Sequence, residues 1–283
     1  MRVHCPIDCH NYVTEHSEAT VGGVKPQAPK RRRLPRRASD NAFLADRMLN
    51  WCPGQTIQQL TEALGTLSDD DYWKLYAETF QLNTTANIIF GSKACAEHGW
   101  FTDFEFAGAS IGKLGEIIES GNAEEAYRHL EEYYERRRNE IERELIADFP
   151  KREKILRVFF KLHDDGIFEA SVLLGLAQAD GIAHDIFGAE LYRVKGGASL
   201  IRAKIDKKKV DWVWEALAEP LRAALPIALH VRPGSQNFNR NTILHGTNLD
   251  YGTKRNSFRT ISLLSYLRGM SNYEKMALRR SGG

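Results

Sequence analysis

The sequence has no apolar run long enough to cross a membrane. Its 283 residues are 42% hydrophobic and 27% charged. No uninterrupted apolar segment approaches the roughly 18 residues that a membrane-spanning helix needs. The first residues also lack the apolar segment of a secretory signal. We therefore expect a globular protein that does not insert into a membrane.

Cysteine is scarce, and all four cysteines fall in the first third of the chain, at Cys5, Cys9, Cys52 and Cys95. This placement does not suit a disulfide framework, so a reducing cytoplasm is the expected setting. His4, Cys5, Cys9 and His10 are residue types that bind zinc, but their spacing fits no closed structural site. The sequence therefore predicts neither a metal ion nor another cofactor.

Positive charge is concentrated at the amino terminus. The chain carries a net charge of +2, and residues 1–40 contain eight Lys or Arg against four Asp or Glu. Most of these cations lie in Lys30–Arg37, a stretch that has too few apolar residues to fold alone. We interpret residues 1–40 as a flexible basic arm that contacts phosphates, acts as a nuclear address, or is simply a solvated tail.

After residue 40 the apolar residues recur at helical spacing, and no strand-like alternation of useful length appears. Neither GxGxxG nor GxxxxGK[ST] occurs, so a Rossmann or P-loop fold has no support. The sequence predicts an all-α fold with a helical region of unknown role at 41–120 and a helical domain at 121–283. The predicted helices are one after the Ser68 cap, then 122–149, 152–162, 167–187, 212–228 and 253–267.

A short polar segment near the carboxyl end, residues 237–246, contains the candidate catalytic residues. Ser235 could cap a helix there, and Gly246 could end it. Arg240 and His245 would share this helix about 140 degrees apart, whereas Asn241 and His245 would lie on one face. Asn241 is therefore the expected neighbour of the imidazole, and Arg240 would need its long side chain, a loosened last turn or a second copy to reach the same phosphate.

These three residue types can cleave RNA without a metal ion. Histidine accepts and donates a proton near neutral pH. Arginine stays charged and offers a fork of donors to a phosphate. In such a reaction the 2′-hydroxyl attacks its own phosphodiester, His245 handles the proton and Arg240 stabilises the charge on phosphorus. The product is a cyclic phosphate, and DNA is refractory.

The segment Arg240–His245 resembles the R-N-x(3)-H motif of the HEPN superfamily, and the similarity extends over roughly residues 150–270, including 176–182 and 248–264. The resemblance implies an all-α endoribonuclease with Arg240 and His245 as the catalytic pair and Asn241 as the accompanying polar residue. It also implies RNA as substrate, an active site formed across a homodimer, and a role in toxin or antiviral defence systems with an antitoxin or defence protein as partner.

Three further polar side chains have two interpretations each. Gln178 and Asp180 interrupt an apolar helix and could support the site from a neighbouring helix, or lie at its water boundary. Tyr251 could stack on an unpaired base, or pack its loop against the core.

Two alternative functions remain open at this point. The doublets His163-Asp164 and His184-Asp185 are of the kind used by HD-type metal phosphohydrolases, but the remaining ligands cannot be assigned. A helical module that binds RNA, a nucleotide or a protein without catalysis would also explain the weakly specific motif.

Overall fold

The structure is a computed structural model that describes residue 45 and residues 56–106, 108–191, 194–195, 198–207, 212–223 and 238–281. The chain divides into two compact units, Met1–Asn83 and Thr84–Gly283. The predicted basic arm, the candidate zinc ligands in it and Ser235 lie outside the described residues.

The described elements confirm the predicted all-α class. An antiparallel pair of two-residue strands is the only sheet within the described residues. None of the described helices combines the length and the apolar character of a membrane span. In chain order the elements are α1 Ile57–Thr66, α2 Asp69–Glu97, α3 Gly108–Glu119, α4 Ala123–Asp148, a 3₁₀ turn Pro150–Arg152, α5 Glu153–Asp164, α6 Phe168–Phe187, β1 Val194–Lys195, β2 Ala198–Ser199, α7 Leu200–Lys207, α8 Trp212–Ala223, α9 Arg240–Leu244 and α10 Lys254–Ser281.

In the first unit, local capping determines where the helices begin. Thr56 and Gln59 form a capping box at the start of α1, which buries Leu60 on one face. The predicted cap at Ser68 is confirmed, because its hydroxyl oxygen accepts a hydrogen bond from the Asp71 amide at 3.2 Å. The boundary between the two units falls within α2.

In the second unit, α6 and α10 form the centre of the bundle. α10 packs against α6 and α4, α5 packs against α6, and α3 packs against α4. The apolar run that the sequence assigned to the last helix is buried inside this unit, including Ile261, Leu264 and Leu267. Residues on both sides of position 120, such as Ile118 and Tyr127, belong to the same hydrophobic core.

Small side chains allow α5, α6 and α10 to meet closely. A Cβ atom on Gly175 would lie 2.3 Å from Cγ2 of Thr260 and 2.6 Å from Cε2 of Phe159. One turn away, the hydroxyl oxygens of Ser171 and Ser257 are 2.8 Å apart. This crossing fixes the first half of α10, which follows the segment Arg240–His245 in the chain.

Hydrogen bonds from α4 and α10 hold the segment between α2 and α3 in place. Tyr134 donates to the Phe101 carbonyl oxygen at 2.5 Å, and the Phe101 amide donates to Ser262 at 3.1 Å. The carboxylate of Asp103 is buried and accepts from Tyr133 at 2.6 Å. Burial raises the pKa of Asp103 above its ordinary value. The segment is therefore a rigid part of the core.

Candidate active site

The predicted motif lies on α9, which has defined ends. Asn239 caps this helix: its side-chain oxygen accepts hydrogen bonds from the amides of Asn241 at 2.9 Å and Thr242 at 3.3 Å. The helix begins at Arg240, directly after this cap, and the predicted cap Ser235 lies outside the described residues. Gly246 follows at a φ of 69°, which ends the helix as predicted.

Main-chain bonds also fix the turn after the helix. The amides of Thr247 and Asn248 both donate to the Thr242 carbonyl oxygen, at 2.9 and 3.0 Å. The His245 amide donates to the Asn241 carbonyl oxygen at 2.9 Å. His245 is therefore held at the carboxyl end of the helix by local structure.

Two apolar side chains attach the motif to the core. Phe238, just before the cap, and Ile243, in the middle of the helix, are each 3% exposed and belong to the hydrophobic core. The helix lies against α6. Leu244 and His245 at its carboxyl end are exposed, and the remaining residues of the short helix are half-buried.

The three motif side chains differ in their exposure. Arg240 and Asn241 are half-buried and His245 is exposed. Nη1 of Arg240 donates to the Asn241 side-chain oxygen at 3.3 Å. The long arginine side chain thus turns toward Asn241, which lies four residues before His245 and on its face of the helix. The His245 imidazole makes no hydrogen bond or ion pair with the part of the chain that the structure describes.

Gln178 and Asp180, the predicted supporting residues, hold α6 and its surroundings together. Gln178 is buried and its side-chain oxygen accepts from Nη1 of Arg152 at 3.1 Å. Asp180 accepts from the Leu191 amide at 2.7 Å, which fixes the chain after α6. These contacts give both residues a structural role.

Tyr251 lies half-buried in the loop before α10 and packs against the hydrophobic core. Its carbonyl oxygen accepts from the Asn256 side chain at 2.9 Å and from the Thr253 amide at 2.8 Å. Partial burial and the charge of Glu169 raise the pKa of its phenol. The tyrosine therefore packs its loop against the core, and its stacking on a base stays a prediction.

The histidines of the HD-type alternative differ in their surroundings. His163 is 6% exposed, and its Nδ1 atom lies 2.7 Å from the Ser257 hydroxyl. His184 is exposed on the last turn of α6. Among the described residues, no group of three or more metal-ligating side chains converges. His163 therefore serves as a polar contact within the core.

Sequence reasoning overlooked the residues that hold the motif helix. Asn239 is a preferred helix cap, and Phe238 is an apolar residue just before that cap, so both carried a local signal. The guanidinium carbon of Arg259 lies 5.8 Å from the centre of the Phe238 ring. The feature that marks Arg259 is its position as a charged residue within the long buried part of α10.

Comparison with known proteins gives no match for this chain, whether with family models, with curated proteins or with solved structures. The resemblance to the HEPN superfamily therefore rests on the residues of the motif and its flanks, and it remains a prediction.

Proposed function

We propose that this protein is a metal-independent endoribonuclease whose active site contains Arg240, Asn241 and His245. The observation that carries the proposal is the exposed imidazole of His245, held at the end of a short helix whose first turn carries Arg240 and Asn241. The side chains thus combine a proton-transfer group, a permanent cation and a polar amide within one anchored element.

In the proposed reaction the 2′-oxygen of a ribose bonds to the adjacent phosphorus and the bond from phosphorus to the 5′-oxygen breaks. His245 accepts the proton of the 2′-hydroxyl, and an imidazolium donates a proton to the leaving 5′-oxygen. The guanidinium of Arg240 stabilises the negative charge that develops on the phosphoryl oxygens. The products carry a 2′,3′-cyclic phosphate and a 5′-hydroxyl group.

A second copy of the chain would complete this site. One imidazole cannot be base and acid at the same moment, so a twofold arrangement would supply the second one. Leu244 and Leu249 lie near His245 in the sequence and are 44% and 81% exposed. Apolar surface of this kind beside polar groups is typical of a contact between proteins. An antitoxin or defence partner stays a prediction from the resemblance.

The test uses the purified full-length protein, a labelled single-stranded or tRNA-like RNA, and excess chelator. We expect cleavage by the wild type and a loss of about 100-fold or more in His245→Ala, the scale of one general acid–base group. His184→Ala, which removes another exposed histidine, should cleave at the wild-type rate. Cleavage that persists in His245→Ala, or that disappears with the chelator, would reject the proposal. RNA binding without cleavage would favour a non-catalytic module.

A further inference from the structure

Arg259 is a buried cation surrounded by aromatic rings. The residue is 3% exposed, in the first half of α10. Its guanidinium carbon lies 5.2 Å from the ring centre of Tyr127, 5.6 Å from that of Trp100 and 5.8 Å from that of Phe238. Nη1 donates to the side-chain oxygen of Asn256 at 2.9 Å. The guanidinium therefore joins α4, the segment after α2 and the start of the motif.

Three aromatic rings and the Asn256 side chain make the close contacts of the Arg259 guanidinium. The nearby carboxylates bind Arg255 instead, one turn earlier, which donates to Glu131 and to Glu124. Nε of Arg259 is buried and has no hydrogen-bond partner among the described residues. Burial lowers the pKa of Arg259 to about 10, so the side chain still carries its charge at neutral pH. A flat guanidinium suits this stacked environment better than a compact ammonium group.

Phe238 is held from two sides. Gly99 has a φ of 79°, and a Cβ atom there would lie 2.9 Å from Cδ1 of Phe238. The missing side chain at Gly99 thus makes room for the phenyl ring, and Arg259 lies against that ring. The residue after Phe238 is Asn239, whose side chain caps α9.

We propose that Arg259 is a positioning residue for the reaction: by holding Phe238, it fixes the start of α9 and with it the placement of Arg240 and His245. This inference rests on the proposed function. Arg259 does not touch a phosphate in this role, because its guanidinium is enclosed by protein. Its effect passes through Phe238 and the Asn239 cap.

Two variants of Arg259 and one of Phe238 test the inference. Arg259→Met keeps bulk without charge, and Arg259→Lys keeps charge without the flat stack. Phe238→Leu removes the aromatic ring while leaving the buried cation in place. It tests the same contact if the Arg259 variants do not fold. Arg255→Met is the matched control, since it removes a cation on the same helix that does not contact Phe238.

The first measurement is hydrogen exchange of the amides of Ile243 and His245, which bond to carbonyl oxygens of α9 and its cap. We expect exchange there to rise about tenfold in Arg259→Met, Arg259→Lys and Phe238→Leu, the scale of one lost cation–π contact. Exchange in α5 should not change, and Arg255→Met should leave α9 at the wild-type rate. Unchanged exchange in α9 would overturn the inference whether or not the protein cleaves RNA.

The second measurement is steady-state cleavage by the same variants. A misplaced catalytic group lowers kcat by about 10- to 100-fold while KM changes little, because substrate contacts remain. Faster exchange in α9 with unchanged kcat would also overturn the inference. If the wild type does not cleave RNA, the proposed function fails, and the exchange result alone decides whether Arg259 holds α9.

Discussion

Protonation of His163 should destabilise the Thr84–Gly283 unit as the pH falls below neutral. The imidazole lies edge-on to Phe168 and Phe258, with ring centres 5.8 and 4.7 Å away. Its Nδ1 atom is hydrogen-bonded to the Ser257 hydroxyl, which is in turn hydrogen-bonded to the Ser171 hydroxyl. Burial, the largest effect, lowers the pKa of His163 to about 4. The neutral imidazole is thus the form that this core accommodates.

The sign and size of the effect follow from linkage. In the unfolded chain a histidine titrates with a pKa of about 6.5. Above that pH the His163 ring is neutral in both states, and the folded state has its full stability. Between 6.5 and the folded pKa of about 4 the unfolded chain binds a proton that the folded chain does not. The stability lost over this window is about 3 kcal/mol at 1.36 kcal/mol per pKa unit.

Urea unfolding at pH 7.5 and pH 5, followed by circular dichroism, measures this loss. At pH 5 we expect the wild type to have lost about 2 kcal/mol more than His163→Gln, which can keep a hydrogen bond to Ser257 without titrating. His129→Gln changes an exposed histidine and should follow the wild type. Asp103, whose pKa is raised, shifts stability in the opposite direction at low pH, but it does so equally in all three proteins. Equal losses of stability in the wild type and in His163→Gln would show that His163 does not titrate with a lowered pKa in the folded protein.

Substitutions at three further positions have defined outcomes. Gly175→Ala should lower the free energy of unfolding by about 1–3 kcal/mol, because the overlap with Thr260 outweighs the better helix propensity of alanine; an unchanged urea midpoint would contradict this. Tyr134→Phe should cost about 1 kcal/mol in the same assay by leaving the buried Phe101 carbonyl without its donor, and an equal or higher midpoint would contradict it. Asn239→Ala should destabilise α9 by about 1 kcal/mol, seen as faster amide exchange there, while Asn239→Ser should retain most of the cap; equal exchange in the two variants would argue against capping.

Helix class and most helix positions were predictable from local patterns. The Ser68 cap, the apolar stripe of α6 and the stop at Gly246 depend on residues close together in the chain, and the structure shows all three. The last helix was predicted to end at Leu267 but continues to Ser281. The apolar run ends at Leu267, yet Met270 and Tyr273 still pack against the core and extend the helix.

Other features depend on contacts between distant parts of the chain. The paired strands Val194–Lys195 and Ala198–Ser199 are too short to show an alternating pattern. The stack around Arg259 brings together Trp100, Tyr127 and Phe238, which are far from it in sequence. A single sequence gives no signal for such a meeting, because a charge in an apolar helix does not identify the groups that would compensate it.

The chemistry of the cleaved ends distinguishes attack by the 2′-hydroxyl from attack by water. With excess chelator present, we expect an all-ribose substrate to yield a 2′,3′-cyclic phosphate and a 5′-hydroxyl. A single 2′-deoxy nucleotide on the 5′ side of the cleaved bond should block cleavage there. Cleavage of the deoxy-substituted bond, with a 3′-hydroxyl and a 5′-phosphate as products, would contradict the proposed reaction.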